Sequence, residues 1–166
     1  RIAELHGVSM KVEAFGDRKD ALRNTDFVTT TIAVGAAAGW KADLEIPRNY
    51  GIHQTVADSV GPGGVLRALR HIPALLEIAR DVADVAPNAW FINYSNPLTA
   101  NVRSINKYAG IKAIGLCHGT MHTKSKLLQD IGIANEEVDA LFAGINHLCW
   151  LLELKQGDKD LYPLLR

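Results

Sequence analysis

The sequence predicts an α/β fold organised on a parallel sheet, and three observations predict it. Short β-branched runs alternate with stretches of helical apolar periodicity. Glycine, asparagine and cysteine stand just beyond the ends of the predicted strands, where sheets of this kind collect ligands. A chain of 166 residues, 48% hydrophobic, can bury a sizeable core.

The elements follow in order. Asp17 is placed to cap a short helix over residues 17–23. Residues 27–34 (FVTTTIAV) read as a buried strand ending at Gly35. From Gly35 to Gly61 the pattern is irregular and interrupted by Pro47 and several glycines, which predicts mostly loop. A long helix begins at Gly61-Pro-Gly-Gly64, its apolar face carried by Val65, Leu66, Leu69, Ile72, Leu75, Ile78 and Val82. Pro73 lies inside it and Pro87 just past its end. Residues 89–94 (AWFINY) form a second strand. Asn96 as N-cap and Pro97 at the first helical position then predict a helix running to about Lys107. Residues 111–116 (IKAIGL) make a third strand that delivers Cys117 to its carboxyl end, and a helix follows over residues 120–131. Residues 138–142 and 148–154 read as further strands whose order relative to the first three is open.

Composition excludes several classes of function. Eighteen basic and eighteen acidic residues balance, and no Lys/Arg run exceeds two, which argues against nucleic acid or an anionic membrane as partner. No apolar run approaches the ~20 residues of a membrane span. Two cysteines, Cys117 and Cys149, make no disulfide framework, so a reducing, cytoplasmic setting is expected.

Several residues carry chemistry, and each has a plainer explanation. Cys117 lies at a predicted strand end with a helix immediately downstream, a setting that favours thiolate. Cysteine is equally at home as a buried packing residue. His147, in Gly-Ile-Asn-His, is either a packing residue or a ligand, and its spacing from Cys117 is not that of a structural zinc site. The Gly61–Gly64 element is either an anion-binding helix start or a turn that needs glycine. A Gly-x-Gly-x-x-Gly fingerprint is absent. Asn96 can cap or can face a ligand, while Asp58 and Lys41 sit in an irregular stretch where charges are usually solvated.

Taken as a set, the motifs are more specific. The run from Glu45 through Arg48, Tyr50, Gln54 and Asp58 to Gly64 resembles glycoside hydrolase family 4. So do Asn93-Tyr-Ser-Asn-Pro97, Gly115-Leu-Cys-His-Gly119, Gly144-Ile-Asn-His147 and Leu161-Tyr-Pro-Leu-Leu165, in the family's order and spacing across the chain. The resemblance implies a Rossmann-type domain of the lactate/malate dehydrogenase kind, NAD and Mn²⁺ as cofactors, and glycoside cleavage by oxidation at C3, elimination and water addition. The two-carboxylate mechanism of most glycosidases does not apply to this family.

Residue by residue, the resemblance makes Cys117 and His147 the metal ligands, His118 the proton donor, and Asp58 an acid that raises the basicity of the catalytic tyrosine. It gives Asn96 and Lys41 to the substrate, and Ala33, Val34 and Gly35 to the cofactor. Members of the family that cleave phosphorylated sugars commonly carry Asp or Asn after this cysteine, with Pro two residues later; Cys117 is followed by His-Gly-Thr, so the resemblance implies an unphosphorylated α-galactoside, α-glucoside or α-uronide. The family's glycine-rich loop and acidic ribose reader are expected before Arg1, and the base tyrosine after Arg166. The chain is expected to divide into a partial NAD-binding domain, residues 1–135, and the start of a substrate domain, residues 136–166. A homo-oligomer is expected for the full-length protein. The alternatives are a 2-hydroxy-acid dehydrogenase of the lactate/malate class, which needs a catalytic Asp–His pair and substrate arginines but no Cys117, and a non-catalytic binding module.

Overall fold

The computed structural model describes residues 6–134 and 137–165. The expected division between residues 135 and 136 falls outside the described residues.

Three strands, β1 (Phe27–Thr30), β2 (Trp90–Asn93) and β3 (Ala113–Gly115), pair in parallel in the order β1-β2-β3. Among the described residues, five α-helices surround or follow them: α1 (Arg18–Leu22), α2 (Ala36–Arg48), α3 (Gly61–Val85), α4 (Leu98–Tyr108) and α5 (Gly119–Asp130). This is the α/β architecture the alternating pattern predicts. Asp17 caps α1 as expected, its carboxylate accepting from the amides of Lys19 at 2.7 Å and Asp20 at 3.3 Å. Helix α3 buries Leu75, Ala79 and Val82 against Phe91 and Ile105, forming the core under the sheet.

The strands are shorter than predicted, for a reason visible at their ends. After Tyr94 N–H donates to the Thr30 carbonyl, the next available backbone donor of the β1 segment, Ile32 N–H, goes to the Ser95 hydroxyl at 2.7 Å. The chain therefore leaves the sheet at Thr30. Asn93 ends β2 by turning its own side chain onto Ser95, accepting from its amide at 3.2 Å and donating to its carbonyl at 2.8 Å.

One expectation is overturned. Residues 36–48 are not loop but helix α2. The segment opens on three alanines, the best helix formers. Gly39 sits inside this helix without breaking it, and a Cβ there would make only ordinary contact, 3.4 Å, with the Arg70 guanidinium. Pro47 falls in the last turn, so it deprives the helix of one bond only near its end, and the chain reverses immediately after it.

The remaining strands do not extend the parallel sheet. β4 (Val138–Ile145), β5 (Leu148–Gln156) and β6 (Lys159–Asp160) form a separate antiparallel sheet, with a bulge between Leu141 and Phe142. Leu128, Val138, Leu154 and Leu161 make its own small core. A short 3₁₀ turn, Tyr162–Leu165, closes the described chain. Among the described residues, no helix is long and apolar enough to cross a membrane.

Candidate active site

The site lies beyond the carboxyl ends of the parallel strands, where the tip of the β4–β5 hairpin meets them. Ile145 pairs with Leu148, so Asn146 and His147 form a two-residue turn, with His147 at φ 64. That left-handed conformation is uncommon for a residue with a side chain, though histidine tolerates it better than most. Gly144 allows the turn to be tight, because a Cβ there would stand 2.5 Å from the Leu148 carbonyl oxygen. The tip is tied to α4 by Asn146 N–H, which donates to Thr99 Oγ1 at 3.0 Å.

His147 thereby meets Cys117. Its Nε2 lies 3.4 Å from Cys117 Sγ, while Gly119 N–H, in the first turn of α5, points at the same sulfur at 3.3 Å. Both side chains are exposed and line a cavity of about 580 Å³ with Thr120, Asn146 and Cys149. On its other edge, His147 Nδ1 lies 2.9 Å from Ser59 Oγ and 3.5 Å from Asp58 Oδ1. The Ser59 hydroxyl donates to Asp58 Oδ1 at 3.0 Å.

Asn96 joins the same cluster, and here a second expectation is corrected. The helix after Asn96 starts at Leu98 with Pro97 as its cap residue and no side-chain cap bond. The Asn96 side chain is committed elsewhere. Its Nδ2 donates to Asp58 Oδ2 at 2.7 Å, and the Asn96 carbonyl accepts from Arg67 Nε at 3.1 Å.

The Gly61–Gly64 element explains how Asp58 and Ser59 reach this position. Gly61 has φ +69, which suits a turn. Gly63 and Gly64 serve close approach: a Cβ on Gly63 would lie 2.5 Å from the Ala57 Cβ, and one on Gly64 2.5 Å from the Ser59 carbonyl carbon. The loop carrying Asp58 and Ser59 is pressed flat on the start of α3. The helix start is not left open for an anion at Gly63, whose N–H donates to Gln54 Oε1 at 3.1 Å.

Residues 33–35 form a turn between β1 and α2, with Gly35 at φ 83 and Ala36 at φ 44. Helix α3 holds this turn from beneath. Val34 N–H donates to His71 Nε2 at 3.3 Å, and the Arg70 guanidinium reaches the Val34 carbonyl at 3.5 Å. His71 Nδ1 faces the Arg67 carbonyl at 3.0 Å and Nε2 also stands 3.3 Å from the Ile32 carbonyl; the shorter contact and the Val34 donor on Nε2 favour the ring proton on Nδ1. The ring is fully buried, and that burial, with Arg67 and Arg70 nearby, pushes its pKa down and keeps it neutral. Arg70 makes two bonds to the buried Asp43 carboxylate, at 2.9 and 2.5 Å, which raises the arginine's already high pKa.

The structure thus brings Cys117, His147, Asp58 and Asn96 together. Ala33, Val34 and Gly35 lie at the end of the neighbouring strand. His118 is exposed at the start of α5 and does not line the cavity. Lys41 points from the exposed face of α2 and pairs with Glu45 at 3.7 Å. Sequence reasoning misses Ser59, His71 and Thr99. A histidine on the apolar face of α3 is a usable signal for His71; Ser59 and Thr99 carry none.

Thiolate and imidazole so placed can hold a divalent ion. On one tetrahedral ion at ordinary ligand distances, sulfur and nitrogen would stand about 3.6 Å apart, close to the 3.4 Å between Cys117 Sγ and His147 Nε2. Among the described residues no group of three or more His, Cys, Asp or Glu side chains surrounds such a point. The donor set therefore fits an ion whose other positions are left to substrate or water, rather than a closed structural site.

A parallel sheet whose strand ends carry a ligand site is the architecture of nucleotide-binding α/β enzymes, and the chain has their fold. The model for family 4 glycosyl hydrolases matches residues 1–133, and the chain belongs to that family. It is 40% identical over 169 residues to an α-galactosidase of Bacillus subtilis, covering 99% of this chain and 38% of the relative. It is 42% identical over 151 residues to an α-galacturonidase of Thermoanaerobacterium saccharolyticum, covering 86% of this chain and 32% of the relative. The crystal structure of a Bacillus subtilis protein described as a glucosidase superposes with a TM-score of 0.84 at 38% identity, over 92% of this chain and 37% of that one. More distant likenesses carry the fold alone. They include a 6-phospho-α-glucosidase from gut microorganisms solved with NAD and Mn²⁺ (TM-score 0.79, 21% identity, 90% of this chain and 34% of that one). Malate dehydrogenase of Plasmodium falciparum has a TM-score of 0.69 at 15% identity, over 99% of this chain and 47% of that one. The chain spans about a third of the length of the curated relatives it matches.

Proposed function

We propose that the protein carrying this chain is an α-glycosidase dependent on NAD and a divalent metal such as Mn²⁺, acting on an unphosphorylated α-galactoside, α-glucoside or α-uronide. The observation that carries this reading is the 3.4 Å approach of Cys117 Sγ to His147 Nε2 on an open cavity, in a family 4 chain. The groups solved with a distant relative of the same fold lend it support.

When bound, the metal would supply Lewis acidity at the sugar's hydroxyl oxygens and NAD a hydride acceptor for oxidation at C3. Cys117 and His147 would hold the ion, which leaves it open to the sugar. Asn96, anchored through Asp58, would orient a hydroxyl beside that ion. His118, exposed and beside Cys117, would deliver a proton to the leaving oxygen, a role imidazole can fill near neutral pH. Ala33, Val34 and Gly35 would border the nucleotide, with His71 setting the height of that turn. Lys41 would reach substrate only from outside the present cluster. The proposed division follows the two sheets: residues 1–135 as the nucleotide-binding part and residues 136–166 as the beginning of the substrate part, in a cytoplasmic homo-oligomer.

The dehydrogenase reading has one observation in its favour, the Asp58–His147 pair. That reading has no use for Cys117 beside Nε2, and membership of a glycosidase family disfavours it.

The decisive test is hydrolysis of a panel of p-nitrophenyl α-glycosides by the full-length protein under reducing conditions, with Mn²⁺ and NAD⁺ added or withheld. Cleavage that needs both, and is lost in Cys117→Ser, is the expected result. Cleavage indifferent to both, or turnover of 2-hydroxy acids by the Cys117→Ser variant, overturns it.

A further inference from the structure

We infer that Ser59 and Asp58 are positioning residues that fix the tautomer of His147, placing its proton on Nδ1 and turning the bare Nε2 toward Cys117. The inference rests on the proposed metal-dependent function for its purpose, though not for its geometry.

The argument is a count of protons along one short chain. Asp58, as a carboxylate, can only accept. Its Oδ2 takes the Asn96 amide proton at 2.7 Å, and its Oδ1 takes the Ser59 hydroxyl proton at 3.0 Å. Ser59 has one proton and has given it away. Toward His147 Nδ1, 2.9 Å distant, Ser59 Oγ can therefore only accept. A neutral imidazole that donates from Nδ1 keeps an unprotonated Nε2. That nitrogen faces Cys117 Sγ at 3.4 Å.

The opposite tautomer fares worse at each link. With the proton on Nε2, Ser59 would have to donate to Nδ1. Asp58 Oδ1 would then lose its hydroxyl donor and face the lone pair of Nδ1 at 3.5 Å. A half-buried carboxylate left short of a donor has lost water without a replacement partner, which disfavours that arrangement. The same outer contact is what orients histidine ligands generally: a hydrogen bond at one ring nitrogen prepares the other for a metal. Asn96 stands at the far end of the chain, so its amide fixes the polarity of the whole. Gly63 and Gly64 supply the close packing that keeps Asp58 and Ser59 in reach.

The test uses the full-length protein labelled with ¹⁵N in histidine, metal-free, at about pH 8, above the ordinary imidazole range. The ring ¹⁵N shifts of His147, assigned by their loss in His147→Asn, should show a protonated Nδ1 and a bare Nε2. In Asp58→Asn the chain reverses: the new amide nitrogen donates to Ser59, Ser59 donates to Nδ1, and the proton moves to Nε2. Ser59→Ala should weaken Mn²⁺ binding, read by titration calorimetry, by roughly 10–100-fold, with little change in melting temperature. A wild-type His147 protonated on Nε2, an Asp58→Asn ring unchanged from wild type, or a Ser59→Ala variant with wild-type Mn²⁺ affinity would each overturn the inference. Failure of the wild-type protein to bind Mn²⁺ would instead sink the proposed function. The wild-type ring shifts decide the tautomer in either case, even where a variant does not fold.

Discussion

The two ligand candidates stand on very different supports. Cys117 leaves a parallel sheet clamped over α3 and α4, whose buried core includes Leu75, Val82, Phe91 and Ile105. His147 rides on a hairpin whose described core is Leu128, Val138, Leu154 and Leu161, with Trp150 62% exposed on one strand. Hydrophobic burial fixes the first support. The second is held at its tip by hydrogen bonds, chiefly Asn146 N–H to Thr99 and His147 to Ser59. A ligand pair can thus join a rigid partner to one aimed by polar contacts, and the aim is then sensitive to changes that leave the core intact.

That contrast can be broken from the rigid side first. Asp43→Ala removes the carboxylate that holds Arg70 beneath the turn at Val34. Asp43 is buried but Arg70 is partly exposed, so the loss is at the low end of the ~3–5 kcal/mol that breaking a fully buried pair costs, which urea denaturation would read as a lower midpoint. An unchanged midpoint would mean the pair contributes nothing to folding.

Gly64→Ala acts at the join between the two supports. Its Cβ would meet the Ser59 carbonyl carbon at 2.5 Å, and overpacking of this kind costs about 1–3 kcal/mol. The loop has to lift, so Mn²⁺ affinity should fall along with stability. A variant that loses stability but keeps affinity would show that the loop does not aim His147.

Thr99→Val is milder and separates the supports cleanly. It strands the Asn146 N–H at about 1–2 kcal/mol while leaving the sheet core untouched. Hydrogen exchange should quicken at the hairpin tip and stay unchanged in β2. Equal quickening in both would mean that the two supports open as one unit.

The smallest effect is a pH dependence. His71 is held neutral by burial, so its folded pKa lies below its unfolded value of about 6.5. The unfolded state then binds the extra proton first. Stability is at its full value above that pH and falls as pH drops through it, levelling off only below the depressed folded pKa. In His71→Gln that portion of the acid loss should vanish. If the two proteins lose stability in parallel below pH ~6.5, His71 is not the cause.

Much of this is legible in the sequence, and the gaps have identifiable causes. Cys117 and His147 are readable as a pair through five ordered motifs. Asn96 reads as a cap because asparagine before proline is a strong local signal, and nothing local reveals a competing carboxylate at position 58. Helix α2 escapes because Pro47 and the glycines around it count as breakers, when Pro47 lies only in the final turn and Gly39 is carried within the helix. The glycines of Gly61–Gly64 read as turn or anion site. Two of them serve a contact with residues 57 and 59 that no spacing rule encodes.

By itself the sequence determined the alternation of strands and helices, the packing of Leu75 and Val82 on α3, though Val65 and Leu69 of the same predicted stripe stay exposed, and the residue types gathered at the strand ends. These follow from periodicity and propensity, which act over a few residues. Only the tertiary structure decided that the last strands form a separate antiparallel sheet, and that its turn carries His147 onto Cys117. It also decided that Asp58 serves Asn96, Ser59 and His147 at once. Those outcomes depend on which donors and acceptors remain unpaired once the helices have packed, and a buried polar group finds its partner by proximity in space rather than along the chain.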